Sequence, residues 1–269
     1  MPKQGIPLRT PIFHIDAFTS RPLAGNPAAV MPMQSFLSDA VLQAIAEENN
    51  LGDTAFVVPE GDNYRLRWFT PTTEMPLCGH GTLASAAVVM ERLQVGRRRV
   101  IFESPSGPLT VDRTEGGYRM NFPARFSGTI DAPIPDLARA LGAVPLDVVA
   151  DAFNYIALLK DARDVRDLKP DMAAIARLNR DGVIVTAPGD GDFDFVSRYF
   201  APAKGVPEDP VTGGAHCALT PYWAKRLNKT EFHAFQVSRR GGELHCRLLG
   251  DRVELQGSCV FYLEGQVEI

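Results

Sequence analysis

An internal repeat constrains the fold of this chain more than any other feature. Residues 67–71 read Arg-Trp-Phe-Thr-Pro, and residues 198–202, placed 131 positions later, read Arg-Tyr-Phe-Ala-Pro. After a three-residue insertion the match continues at a spacing of 134, so that Gly79 corresponds to Gly213. The period is about half of the 269 residues. A repeat of this length predicts two homologous halves.

The two halves define the predicted domain organisation. We expect an N-terminal lobe over residues 1–128 and a C-terminal lobe over residues 129–269, with terminal strands that can cross between them. Helical spacing predicts one helix over 37–50, capped by Ser38, and a second over 82–93. Short β-rich runs bounded by turn residues predict strands in the first half at 12–18, 54–58, 64–69, 99–102 and 109–111.

The second predicted helix is apolar on nearly every side. Residues 82–90 read Thr-Leu-Ala-Ser-Ala-Ala-Val-Val-Met. A helix without a polar face must be surrounded by protein, and among many short strands a curled sheet can surround it. The predicted fold class is therefore α+β, with two pseudo-symmetric lobes, each a curled, mostly antiparallel sheet or barrel around a central helix.

Charge and hydropathy exclude several classes of partner. The formal net charge is -4, and no basic run is longer than the three arginines at 97–99, which argues against a nucleic-acid surface. No window approaches the roughly 18 apolar residues of a membrane span, and the N-terminus has no charged-then-apolar export segment. We therefore expect a cytoplasmic protein with a small-molecule partner, without nucleic-acid or membrane binding.

The cysteines and histidines give no metal or disulfide signal. Four cysteines occur without a C-x-x-C pair, and five histidines occur without an H-x-x-x-H pair. We expect reduced thiols and no metal. Of the four, Cys217, Cys246 and Cys259 are expected to be inert.

Two copies of one fold unit should share the residues that packing requires. Positions at which the two halves differ in chemical character are therefore candidates for function. On the first helix, Val41, Leu42 and Ile45 define the expected apolar face. Glu48 falls about 20° from Val41 at 100° per residue, whereas the second half has Leu178 at the matching position. Burial disfavours a charged carboxylate, so Glu48 is a candidate catalytic residue. The alternative is that Glu48 is solvated at the helix edge.

The second difference lies where each buried helix begins. Residues 76–82 read Pro-Leu-Cys-Gly-His-Gly-Thr, and residues 210–216 read Pro-Val-Thr-Gly-Gly-Ala-His. Glycines allow a ligand close to the backbone, and the free N–H groups of a helix start favour an anion such as a carboxylate. Two such helix starts should face each other across the cleft between the lobes. The predicted substrate-binding residues are Cys78, Gly79, Gly81, Thr82, Thr212, Gly213, Gly214 and Ala215.

Two further residues of these loops are candidate proton-transfer groups. His80 corresponds to a glycine in the second half, and an imidazole beside a helix start is suited to proton transfer near neutral pH. Asp209 corresponds to a methionine in the first half and could orient a basic group. Structural alternatives exist for each: backbone capping by His80, an ordinary helix-dipole partner in Asp209, and a small buried hydrophobe in Cys78.

Four ordered motifs resemble the phenazine-biosynthesis PhzF family over nearly the whole chain. They are Gly-Asn-Pro-Ala-Ala-Val at 25–30, Ile-Ala-Glu-Glu-Asn-Asn-Leu-Gly-Asp-Thr-Ala-Phe at 45–56, the repeat and helix-start segments within 67–82, and Glu-Asp-Pro-Val-Thr-Gly-Gly-Ala-His at 208–216. The family shares its two-lobed fold with diaminopimelate epimerase and proline racemase. The resemblance implies an isomerase with its active site between the lobes, without metal or organic cofactor, that forms a homodimer.

The resemblance also implies roles for individual residues. In the family's dihydro-hydroxyanthranilate isomerase a glutamate moves a proton between ring carbons, and this role carries over to Glu48, with the family histidine at His80 and its aspartate at Asp209. Gly81 and Gly214 depart from the alanine and serine of many relatives, which leaves the substrate open. The sequence thus predicts an isomerase that moves a proton between carbons of a small carboxylate-bearing substrate, cyclic compounds included.

Two other functions stay open. Related racemases use two opposed thiols, whereas this chain has Cys78 at one helix start and Thr212 at the other. A racemase or dehydratase of proline-like amino acids would use that pair. A small-molecule-binding protein without catalysis is the remaining alternative.

Overall fold

A strongly curled, mostly antiparallel sheet forms the bulk of the molecule, in a computed structural model that describes residues 8–130 and 135–269. Residues 1–7, at the start of the predicted N-terminal lobe, and residues 131–134, next to the predicted boundary, lie outside the described residues. The position of that boundary stays a prediction.

The first half contains eight strands and two helices within the described residues. They are β1 (Arg9–Ala17), β2 (Asn26–Pro32), α1 (Asp39–Asn49), β3 (Asp53–Glu60), β4 (Asn63–Phe69), β5 (Glu74–Met75), α2 (Gly79–Val88), β6 (Arg99–Ser104), β7 (Gly107–Thr114) and β8 (Gly117–Pro123). A π-helical turn, Val89–Leu93, continues α2.

The second half, as far as it is described, repeats this arrangement with additional short elements. They are β9 (Gly128–Thr129), α3 (Pro135–Leu141), β10 (Asp147–Ala150), β11 (Asn154–Leu158), α4 (Ala162–Asp167), α5 (Met172–Ile175), β12 (Gly182–Pro188), β13 (Phe195–Ala201), β14 (Val206–Asp209), α6 (Gly213–Leu227), β15 (Glu231–Gln236), β16 (Gly242–Leu249), β17 (Arg252–Gly257) and β18 (Cys259–Glu268).

Strand register shows that the two halves are copies of one unit. In the first half β2 runs parallel to β3, and β3 pairs antiparallel with β4, so that Thr54 lies opposite Phe69. In the second half β11, β12 and β13 repeat this order, and Val183 lies opposite Phe200. The predicted α+β class with two pseudo-symmetric lobes is confirmed.

The central helices α2 and α6 lie inside this curled sheet. Every residue of α2 from Gly81 to Val88 is buried, as its lack of a polar face predicts. Side chains of both helices belong to one apolar cluster, and each fully buried Leu or Val in it contributes about 1.5–3 kcal/mol. No helix among the described residues is both long and apolar enough to cross a bilayer.

Strands from the two halves also pair with each other. The C-terminal strand β18 pairs antiparallel along β1, from Glu268 opposite Arg9 to Cys259 opposite Ala17, and β17 pairs with β8. These pairings join the two halves into one sheet and fix the two central helices relative to each other.

Candidate active site

The starts of α2 and α6 meet at the centre of the molecule. Cys78 and Thr212 occupy the N-cap positions in extended conformation, and the helices begin at Gly79 and Gly213. The Cα atom of Gly213 lies 3.8 Å from the position that a Cβ on Gly79 would take. The expectation that the two helix starts face each other is therefore confirmed.

A carboxylate, an imidazole and a thiol converge at the start of α2. Asp53, the first residue of β3, is 1% exposed, and its Oδ1 lies 3.1 Å from Nε2 of His80. The Sγ of Cys78 lies 3.3 Å from Nδ1 of His80. Asp53 can occupy this place because Gly81 has no Cβ, since a Cβ there would overlap Oδ2 of Asp53.

The charge of Asp53 decides the protonation of this cluster. Burial by itself would lower the pKa of His80, but the negative charge of Asp53, together with a smaller effect of the adjacent Cys78, outweighs burial and holds that pKa well above 6.5. Burial, reinforced by the Asp53 charge, raises the pKa of Cys78 to about 12. At neutral pH His80 is therefore an imidazolium and Cys78 a neutral thiol.

Asn26 connects this cluster to the other lobe. It is fully buried at the start of β2, and its Nδ2 lies 2.7 Å from Oδ1 of Asp209, 2.9 Å from the Val211 carbonyl oxygen and 3.3 Å from Nδ1 of His80. An amide nitrogen carries two hydrogens, and the two short contacts use both. The His80 Nδ1–H is then available to Cys78.

Asp209 is held from both sides at the start of α6. Thr212 donates its hydroxyl to Oδ2 of Asp209 at 2.5 Å, and Nε2 of the buried Gln236 donates to the Asp209 carbonyl oxygen at 2.6 Å. Burial raises the pKa of Asp209, while the positive charge of His80 and the donated hydrogen bonds oppose the rise. Asp209 is thus suited to hold a proton.

Several buried polar atoms at this junction lack a hydrogen-bond partner among the described residues. They are Oδ1 of Asn26, both carboxylate oxygens of Asp53 and Nε1 of Trp68. The Asp53–His80 contact has ion-pair distance without the alignment of a hydrogen bond. The Trp68 ring borders the same place, since its Cδ1 lies 2.9 Å from the Cβ position of Gly81. Leaving such groups unpaired costs about 1–3 kcal/mol each, so the junction favours a polar ligand.

The prediction that Glu48 lies on a buried helix face is wrong, because its side chain is exposed. The buried face of α1 is centred on Leu42 and Ala46, and Glu48 lies about 120° from Leu42 at 100° per residue. The sequence interpretation had centred the face on Val41, which is only half-buried. The catalytic role predicted for Glu48 therefore has no support from burial.

Asp53 and Asn26 are the residues that the interpretation of the sequence missed. Asp53 opens a strand whose first six residues are all buried, and a carboxylate at the head of an apolar strand is a usable signal. In the second half Gly182 takes the equivalent place. Asp53 opens β3 opposite Ala28 of β2, and Gly182 opens β12 opposite Asn154 of β11. The comparison between halves would have identified Asp53 if this register had been known.

The remaining predicted binding residues divide into two groups. Gly79, Gly213 and Gly214 lie at the helix starts, where their backbone can approach a ligand. Thr82 is fully buried and donates its hydroxyl to the Cys78 carbonyl oxygen at 2.6 Å, so this hydroxyl is used within α2. Ala215 is 2% exposed and packs into the core.

Asp53, Cys78 and His80 are also the residues that could hold a metal ion, since their ligand-type atoms lie within 4.8 Å of one another. However, His80 presents Nε2 to Asp53 and Nδ1 to Cys78. One ion could take only one of these nitrogens, so the present arrangement fits proton sharing better than coordination.

Known proteins with similar sequences and structures cover the whole fold. The model of the PhzC-PhzF family of phenazine biosynthesis-like proteins matches residues 15–265. An uncharacterized isomerase of Pseudomonas aeruginosa is 49% identical over 96% of this chain and 98% of its own length, and one of Halalkalibacterium halodurans is 41% identical over 97% and 99%. A crystal structure of a PhzF-family protein of Enterococcus faecalis is 42% identical, covers 97% of this chain and 100% of its own, and has a TM-score of 0.94.

The names of these relatives, which match along nearly the full length of the two-lobed fold, define an isomerase. Similar isomerases match along nearly the full chain, so the predicted enzyme class is confirmed. The chain belongs to the PhzC-PhzF family of phenazine biosynthesis-like proteins, as its four motifs predicted.

Proposed function

We propose that the protein moves a proton between carbons of a small carboxylate-bearing substrate bound between the starts of α2 and α6. The observation that carries this proposal is the buried Asp53–His80 pair, whose carboxylate has no aligned hydrogen-bond partner among the described residues and which Asn26 connects to Asp209. Buried acid–base groups of this kind, gathered where two lobes meet, are typical of proton-transfer sites.

The two lobes supply different proton-transfer groups. The Asp53 carboxylate, stabilised by the positive charge of His80, accepts the proton as the substrate C–H bond breaks. Asp209, whose pKa burial raises, donates a proton to the second carbon as its O–H bond breaks. Proton exchange with water then restores both carboxyl groups. The chemistry uses side chains of this chain alone.

Deuterium wash-in tests the proposal. The enzyme is incubated in D2O with dihydro-hydroxyanthranilate, L-proline or trans-4-hydroxy-L-proline, and carbon-bound deuterium is measured by mass spectrometry. We expect the wild type to label at least one of these compounds. Asp53→Asn should lower the rate about 100- to 10,000-fold, the usual effect of removing a positioned acid or base. Glu48→Gln, on the exposed face of α1, is the control and should keep the wild-type rate.

Labelling at the wild-type rate by a folded Asp53→Asn variant would remove Asp53 from its role. The alternative of a binding protein without catalysis predicts bound compound and no labelling. The racemase alternative with Cys78 and Thr212 is not favoured by the site, because the thiol is neutral at pH 7 and the Thr212 hydroxyl is already donated to Asp209.

A further inference from the structure

A proline within α6 fixes Arg125 beside the start of that helix. In an α-helix the N–H of residue 221 would bond to the carbonyl oxygen of Cys217, but Pro221 has no N–H. The backbone N–H of Arg125 donates to this carbonyl oxygen instead, at 2.9 Å. The segment after β8 is therefore attached to α6 one turn from the start of the helix.

The Arg125 side chain extends from this anchor to the first turn of α6. Its Nη1 lies 3.4 Å, and its Cζ and Nη2 lie 3.8 Å, from the position that a Cβ on Gly214 would take. The guanidinium also lies over the Phe153 ring, with Cζ 4.7 Å from the ring centroid. A guanidinium that lies over an aromatic ring can still donate its N–H groups to an anion. The Arg125 guanidinium itself lies within ordinary van der Waals distance of position 214, on the first turn of α6.

Arg125 differs from other half-buried arginines of the fold in its charge environment. Arg67 and Arg198 are paired with Glu74 and Glu208, each at 2.7 Å. Within residues 8–130 and 135–269, the Arg125 guanidinium has no carboxylate oxygen within 4.0 Å. Its charge is available to an anion that reaches the start of α6.

Tyr199 lies opposite Asp209 in the β13–β14 pairing, and its phenol donates to the residue that follows Phe153, over whose ring Arg125 lies. Burial raises the pKa of the Tyr199 phenol, the negative charge of Asp209 raises it further, and the positive charge of Arg125 opposes the rise. The phenol, which donates to Oδ1 of Asn154 at 3.1 Å, is therefore within range of both charges. Arg125 lies beside Gly214 and Asp209 accepts the Thr212 hydroxyl, so a cation and an acid lie at the same end of α6.

We propose that Arg125 binds the substrate carboxylate at the first turn of α6, beside the free N–H groups of residues 213–215. The start of α2 is the weaker place for an anion, because the positive charge of His80 there is already paired with Asp53. This inference rests on the proposed function and orients the substrate, with its carboxylate towards Arg125 and its reacting carbon towards Asp53.

Acetate and acetamide, which differ in charge but little in shape, are suitable probes. ¹⁵N-labelled protein is titrated with each at constant ionic strength, and the amide shifts of residues 213–215 are followed by NMR. We expect acetate, and not acetamide, to shift these amides in the wild type. The Arg125 guanidinium can donate two charge-assisted hydrogen bonds to one carboxylate. We therefore expect acetate to bind Arg125→Met at least about 10-fold more weakly than it binds the wild type. Arg139→Met, at an exposed ion pair, is the control.

Equal acetate Kd values for the wild type and Arg125→Met would overturn the proposal. It would also be overturned if the wild type bound acetamide as tightly as acetate, or if acetate shifted none of the amides of residues 213–215. The two proposals can fail separately. If Arg125 is required for acetate binding and no deuterium enters any substrate, the anion site stands and the proton transfer fails. We expect Asp53→Asn to lose labelling and to keep acetate binding.

Discussion

Asp53 and Gly81 depend on each other, because a Cβ on Gly81 would overlap Oδ2 of the Asp53 carboxylate. The same Cβ would lie 3.0 Å from Cγ of Asp53 and 2.9 Å from Cδ1 of Trp68. In this chain the first turn of α2 therefore closes over the carboxylate because position 81 has no Cβ.

Gly81→Ala should separate catalysis from stability. Alanine is favoured over glycine inside a helix by about 1 kcal/mol, which offsets part of the cost of the new methyl group's overlap with the Asp53 carboxylate and the Trp68 ring. We expect Tm to change little and deuterium labelling to fall about 100-fold, the effect of misplacing a reacting group by about 1 Å. Gly128→Ala, where no atom lies within 4 Å of the added Cβ, is the control. Unchanged labelling by Gly81→Ala would show that the position of Asp53 does not matter.

His216 should make the fold sensitive to acid. The residue is fully buried in α6, its Nδ1–H donates to the Thr212 carbonyl oxygen at 2.9 Å, and burial lowers its pKa to about 4. The pKa of His216 in the folded protein lies below its unfolded value of 6.5. The buried neutral imidazole therefore contributes fully to the stability of the fold above pH 6.5, and this contribution is lost as the pH falls towards 4. A difference of about 2.5 pKa units corresponds to about 3 kcal/mol.

Urea unfolding at pH 7.5 and pH 4 measures this loss. His216→Leu should be less stable than the wild type at pH 7.5. Between pH 7.5 and pH 4 the wild type should lose about 3 kcal/mol more of its free energy of unfolding than His216→Leu loses. The same pH dependence in both proteins would mean that His216 does not titrate as its burial requires.

Cys78 should react slowly and be dispensable. A thiol with a pKa near 12 is almost entirely protonated at pH 7, and the thiolate is the reactive form. We expect iodoacetamide to label Cys78 in the folded protein far more slowly than in urea, and Cys78→Ser to keep deuterium labelling within about 10-fold of the wild type. Rapid alkylation with loss of activity, in a protein whose Asp53→Asn variant remains active, would favour the thiol racemase.

Arg240 should hold the loop before β16 against the loop that precedes β2. Its Nη2 lies 2.6 Å from Oδ1 of Asp16, whose side chain is 5% exposed, and its Nε donates to the Gly25 carbonyl oxygen at 2.8 Å. Arg240→Met leaves a buried carboxylate without its cation, which typically costs about 3–5 kcal/mol. The neighbouring Arg239 is exposed, and Arg239→Met should change the free energy of unfolding by less than about 0.5 kcal/mol. Equal urea midpoints for both variants would contradict this role.

Local sequence patterns predicted most elements of the first half. The helix expected over 37–50 spans Asp39–Asn49, with Ser38 at its N-cap position, although the Ser38 side chain makes no capping hydrogen bond. The five expected strands are all present, each within a few residues of its predicted ends. The strand Asn26–Pro32 was not expected, because its two prolines weaken a strand signal.

The sequence alone determined that two copies of one unit surround two buried helices and that glycine-rich helix starts meet between them. The reason is that the repeat, together with a helix that is apolar on all sides, leaves few other ways to bury the apolar surface of that helix. Only the tertiary structure decided which acid lies there. Periodicity gives the angle of Glu48 on its own helix, but not which face of that helix packs inwards. Asp53, Asn26 and Asp209 come from distant parts of the chain, and strand register brings them together.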